Sequence, residues 1–165
     1  MLPRSAALAL ALCLGSLACA KQPAPAEAYE GAPVRAGIDG GCGPTLEDEA
    51  GHACVRVDVF AEGEGPEAAA GDWLTIHYIV GLEGGAANID SSHDRKPLSV
   101  KLGESSDVIE GMHLGLAGMR VGERRRFVVP PKLGYRGRKM DAIPPDANLV
   151  FLVELMQLRA AAESS

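Results

Sequence analysis

The chain has 165 residues, a formal net charge of −6, 20 glycines, 11 prolines and only 4% aromatic side chains. That length suits one domain around a single core, and the scattered glycine and proline exclude a long coiled coil. The acidic balance speaks against nucleic acid as a partner.

Residues 1–20 read as a secretory signal: Arg4 stands near the start, residues 6–14 form a short apolar run, and small residues follow. The run is too short to span a bilayer in the mature protein. Two cleavage readings stay open. Ala18-Cys19-Ala20 satisfies a small-x-small rule and would give a product beginning at Lys21. Ser16-Leu17-Ala18-Cys19 resembles a bacterial lipobox, with Leu one position nearer the cysteine than usual, and makes Cys19 a lipidation candidate. Either way the expected place is outside the cytoplasm, periplasmic or anchored by lipid in the cell envelope. Residues 21–40, rich in Ala, Pro, Gly and Glu and without apolar periodicity, should form a flexible tether, because they cannot bury enough surface to offset their ordering entropy.

Cys42 and Cys54 follow in residues 41–54, and an oxidising compartment makes a disulfide between them the leading expectation. Such a short loop would add about 2–3 kcal/mol. Cys42, His52 and Cys54 offer three metal ligands without a fourth at a recognisable spacing, so no metal is expected.

Residues 55–60 alternate apolar and polar side chains, the mark of a half-buried strand. Residues 73–80 are β-branched and aromatic-rich and read as a second strand. Asp90-Ser91-Ser92 reads as a polar loop, and residues 98–102 as another short strand. Ile109, Met112, Leu116 and Met119 recur at helical spacing, predicting one substantial helix over residues 107–119. Residues 126–129 form a strand stopped by Pro130-Pro131. Residues 149–158 are apolar on both faces and so predict a central strand. This order is α+β: an antiparallel sheet packed on one helix over residues 55–158, with residues 159–165 as a tail.

Ordinary catalytic machinery is missing from the pattern. There is no phosphate-cradling glycine motif, no nucleophile elbow and no helical His pair. The four histidines, His52, His77, His93 and His113, are scattered, and Asp90 among serines reads either as a loop-capping carboxylate or as a catalytic one.

Several motifs nevertheless fall in one order: Ile76-His77-Tyr78, Asp90-Ser91-Ser92-His93-Asp94-Arg95-Lys96-Pro97, Leu102-Gly103, Val108-Ile109-Glu110-Gly111 and Gly115-Leu116-Ala117-Gly118-Met119. Val121-Gly122-Glu123, Leu133-Gly134-Tyr135 and Ile143-Pro144-Pro145-Asp146-Ala147-Asn148-Leu149-Val150-Phe151 continue it. Together they resemble the FKBP-type peptidyl-prolyl cis-trans isomerases, from about residue 55 to residue 158. The resemblance implies a five- or six-stranded antiparallel sheet curled round one short helix, with an apolar pocket between them. It implies rotation of X–Pro bonds in exported polypeptides, without a cofactor, by a monomer open to macrolide inhibitors. Tyr78, Asp90 and Tyr135 would be the catalytic side chains. Ile89, Leu98, Val100, Val108, Ile109, Met112, Ile143 and Phe151 would bind substrate, with the Ile109 N–H and the Tyr135 hydroxyl donating to a bound carbonyl. The family usually places Trp where Met112 stands and Phe where Ile89, Leu98 and Val100 stand. Met fills space flexibly but offers no rigid aromatic face, which implies reduced activity, a changed preference before proline, or a binding module with weak isomerisation. Arg136, Arg138 and Lys139, in the loop over the pocket, read as a solvated loop or as a preference for acidic segments.

Overall fold

Stretches rich in Val, Ile, Leu and Phe, each with one apolar face, must bury that face against a second layer. In the computed structural model they pair into a six-stranded sheet in which every pairing is antiparallel. The structure describes Pro33 and residues 42–161, apart from 87, 105, 106, 137 and 139–141. The expected signal, the lipidation candidate Cys19, all but Pro33 of the tether, and Lys139 lie outside the described residues.

The strands are β1 (Arg56–Ala61), β2 (Trp73–Leu82), β3 (Asp90–Ser91), β4 (Leu98–Lys101), β5 (Arg124–Val129) and β6 (Leu149–Arg159). The sheet runs β1-β5-β6-β2-β3, and β4 also pairs with β2. β3 and β4 thus share one edge of β2, opposite Ile79–Val80 and opposite Trp73–Ile76 respectively. The other edge of β2 is covered along its whole length by β6, from Trp73↔Arg159 to Leu82↔Leu149. A register shift between Thr75 and Ile76 leaves Met156 as the extra residue of a bulge.

Alternate residues of β6, namely Leu149, Phe151, Val153 and Leu155, are buried and meet Leu74, Ile76 and Val80 of β2 in one core. The helix α1 (Glu110–Leu116) closes that core from above, through Met112 and Leu116. It lies so close to β5 that a Cβ on Gly111 would stand 2.2 Å from a Val129 methyl, and one on Gly115 would stand 2.6 Å from the Phe127 ring. Glycine at these two positions lets backbone approach side chain.

The helix is shorter than its apolar spacing predicts. Ile109 is extended, with ψ 155, and Ala117 leaves the helix with ψ 136 just before Gly118 at φ +71. Its last carbonyls are capped from outside by the Arg125 guanidinium, which donates to the oxygens of Gly115 at 3.1 Å and Ala117 at 2.8 Å. Arg125 pairs with the fully buried Glu123, whose second oxygen accepts from the Arg120 N–H at 3.0 Å. Both charges of this buried pair are therefore hydrogen-bonded, the condition under which burial is tolerated. The segment before β1 is held by a Cys42–Cys54 disulfide with Cα atoms 5.7 Å apart, and it buries Leu46. Among the described residues no helix is long and apolar enough to cross a membrane.

Candidate active site

Strand alternation sends Tyr78 and Val80 of β2 to the same side of the sheet as the helix. There they line a cavity of about 630 Å³ with Phe151 of β6, Met112 of α1 and the extended residues Val108 and Ile109. Ile89, Asp90, Leu98, Tyr135 and Ile143 complete the lining. Phe151 lies directly across from Val80 and stacks on the core ring of Phe127, centroids 5.3 Å apart, so the apolar wall is continuous with the core.

Ten of the eleven candidate catalytic and binding residues line this cavity. The exception is Val100. It shares a face of β4 with Leu98, but two residues further along the strand it stands opposite Leu74, fully buried in the core. It supports the site from below and offers no surface to a ligand. Met112 does form the floor, with only 4% of its surface exposed.

The polar end of the cavity is a small network. The Tyr78 hydroxyl donates to Asp90 Oδ2 at 2.6 Å. Arg95 pairs with the other Asp90 oxygen and donates to the Ser91 carbonyl at 2.7 Å. Burial of Tyr78, and then its hydrogen bond to the Asp90 carboxylate, push its phenol up to about 12, so at neutral pH it is a fixed neutral donor. Asp90 lies in β3, where Asp90-Ser91-Ser92 was expected to be a polar loop. Its pairing opposite Val80 delivers the carboxylate to Tyr78. Two residues offer too little periodicity to announce a strand.

Arg95 is a member of the site whose role the sequence reading missed. The available signal was an arginine five residues after Asp90 in the same loop, a spacing with no fixed geometry outside a helix. Arg136 is expected in the loop over the pocket, either solvated or favouring acidic segments, and its contacts there are internal. Its φ of 53 is left-handed, its N–H donates to the Pro131 carbonyl at 2.8 Å, and its guanidinium meets Glu110 at 3.1 Å, tying the Tyr135 loop to the start of α1. Arg138, Glu110 and Asp107 complete the rim. A larger hollow of about 900 Å³, lined by Cys54, Glu62, Glu67, Arg120 and Arg125 among others, gathers none of the candidate catalytic or substrate-binding residues. No cluster of three or more potential metal ligands occurs among the described residues.

Residues 65–156 match the model of a family described as FKBP-type peptidyl-prolyl cis-trans isomerase. An FK506-binding protein of Neisseria meningitidis serogroup A is 40% identical over 104 residues, covering 62% of this chain and 94% of that protein. FK506-binding protein 4 of Aspergillus fumigatus is 38% identical over 105 residues, 64% of this chain but 21% of its own length. The chain thus spans about a fifth of that fungal relative. The crystal structure of FkpA from Escherichia coli superposes with a TM-score of 0.59 at 31% identity, over 70% of this chain and 52% of that one.

Proposed function

The chain belongs to the family of FKBP-type peptidyl-prolyl cis-trans isomerases, and from that premise we propose that its cavity catalyses rotation about X–Pro bonds in proline-containing polypeptides. Amide resonance sets a barrier of about 18–20 kcal/mol to this rotation. The twisted amide is less conjugated and less polar than the planar one, so an apolar, water-excluding wall favours it. The wall here is Phe151, Val108, Ile109, Ile143 and Met112. The Ile109 N–H and the Tyr135 hydroxyl are assigned as donors to the carbonyls that hold the peptide. Asp90 and Tyr78 are assigned to the end where the amide twists. The single observation carrying this reading is the Tyr78–Asp90–Arg95 network set at the edge of the cavity's apolar wall. No bond to a side chain forms or breaks, so no nucleophile or acid–base pair is required.

Exchange NMR on proline tetrapeptides tests it. Micromolar protein should speed interconversion, and Tyr135→Phe and Asp90→Ala should each lower the rate several-fold. No acceleration by the folded wild type overturns the reading. A second reading, a binding module with weak isomerisation, is favoured by Met112 and Ile89 at positions the family usually fills with aromatics. Under it, the Asp90 and Tyr135 variants would lose isomerisation yet hold unfolded clients as well as the wild type does.

The same proposal places the protein outside the cytoplasm, as a folding catalyst for exported chains, either released at Lys21 or anchored through Cys19. Mass spectrometry of the mature N-terminus separates the two, and retention of residues 1–20 removes both. An FK506-type ligand is expected to compete for the cavity.

A further inference from the structure

Four large apolar side chains stand exposed among the described residues, and three of them, Trp73, Val121 and Met156, line one hollow of about 530 Å³. The fourth, Leu114, is on α1. Trp73 starts β2, Met156 is the bulge residue of β6, and Val121 precedes β5. Strand alternation sets Trp73 and Thr75 on the face of β2 opposite to Leu74, Ile76 and Tyr78, so the hollow lies on the outer face of the sheet. It shares no lining residue with the cavity of Tyr78 and Asp90. Apolar side chains scattered singly over a surface need no explanation, but three gathered in one concave place do.

A polar row accompanies the apolar members. Thr75 stands opposite Ser99 of β4 on one side and Gln157 of β6 on the other, and all three line the hollow. Among the described residues none of these three side chains makes a hydrogen bond. Two residues on from Gln157, Arg159 stands opposite Trp73, its guanidinium 5.7 Å over the indole ring. No carboxylate of the described residues pairs with it. Lys101, opposite Trp73 on β4, is by contrast held by Glu104 at 2.6 Å. The lining of the hollow therefore carries one cation and no acid, in a chain whose formal net charge is −6.

We propose that this hollow docks an extended, apolar polypeptide segment that carries a carboxylate. Trp73, Val121 and Met156 receive its apolar side chains, and the unbranched thioether of Met156 adapts to their shape. Thr75, Ser99 and Gln157 offer donors and acceptors to its main chain. Arg159 receives the carboxylate: stacked on the indole, the guanidinium keeps the N–H groups of its edge for a planar anion. A lipid surface would suit the apolar members and the cation, but it would leave the polar row against acyl chains without partners. A peptide satisfies all three parts. The volume falls within the roughly 300–1,000 Å³ usual for ligand sites. Docking here is independent of what the Tyr78 cavity catalyses, since the two share no lining residue.

Trp73 is the chain's only tryptophan, so its fluorescence reports on the hollow directly. The probe is a proline-free peptide, acetyl-Ala-Leu-Val-Leu-Glu-amide, titrated into the protein at low salt. Emission should move to shorter wavelength and saturate as the ring loses water. The same peptide with Gln in place of Glu should bind about fivefold more weakly. That preference should shrink as salt is added, and Arg159→Gln, at an exposed position, should abolish it. The amide resonances of Ser99 and Gln157 should move with the same midpoint as the fluorescence. No emission change at millimolar peptide, equal affinity for the two peptides, or a preference that survives in Arg159→Gln overturns the proposal. So does movement confined to the resonances of Tyr78 and Ile109, which would put the peptide in the cavity. Phosphatidylglycerol vesicles that shift the emission where neither peptide does would overturn it too, and would make the surface a membrane contact.

Discussion

A phenol that donates at 2.6 Å to a carboxylate, against an apolar wall, resists ionisation because the phenolate would lose solvent and face a like charge. The folded phenol of Tyr78 lies above its unfolded value of 10.0, so the stabilisation linked to it is present below about pH 10 and is lost as pH rises through about 12. In the ultraviolet difference between wild type and Tyr78→Phe, phenolate absorption should therefore appear near pH 12; a midpoint near 10 would refute the geometry. Tyr78, Asp90 and Tyr135, named from the motifs around them, do come to line one cavity. The Arg95–Asp90 pair was not legible in the sequence, since it depends on how an irregular loop folds back. Val100 failed as a ligand contact for a related reason. Alternation tells which face of a strand a residue occupies, but not how far along that face the cavity extends.

At the scale of the elements, the contact between α1 and β5 decides whether the floor of the cavity is in place. Gly115→Ala would put a methyl within 2.6 Å of the Phe127 ring, which also supports Phe151. The substitution should lower stability by about 1–3 kcal/mol through overpacking, although in an exposed helix it would gain up to about 1 kcal/mol. Leu114→Ala, on the exposed side of the same helix, should change stability by less than about 0.5 kcal/mol. Thermal unfolding compares the two, and equal midpoints would show that the helix can move away from β5. The periodic strands were readable from their alternation, and β6 was placed as a central strand from its apolar run alone. The helix was overextended by the same logic. Ile109 and Met119 fit the 3.6-residue spacing, but both pack into the core from non-helical backbone. Apolar spacing reports burial and does not report the turn geometry at Gly118.

For the molecule as a whole, the Cys42–Cys54 link closes the segment that leads into the first strand. It closes a loop of sequence separation 12, worth about 2–3 kcal/mol to the folded state. Replacing both cysteines by serine should lower the urea midpoint accordingly. Isomerisation should stay within twofold of wild type, because neither cysteine lines the cavity. A large loss of rate without a loss of stability would show that the segment reaches the site.

The position of β6 carries a consequence of another kind. Among the described residues it is the last of the six strands in chain order, yet it lies between β5 and β2. A chain emerging from the ribosome therefore holds β1–β5 and α1 long before the strand that joins β2 to β5. Until then both hydrogen-bonding edges that β6 will fill stand open, and the core lacks Leu149, Phe151, Val153 and Leu155. Order must arrive late and all at once, after the final strand is made. A domain wired this way stays threadable until β6 has been made, and it is itself exposed, during that interval, to the slow proline isomerisations that its own cavity is proposed to relieve.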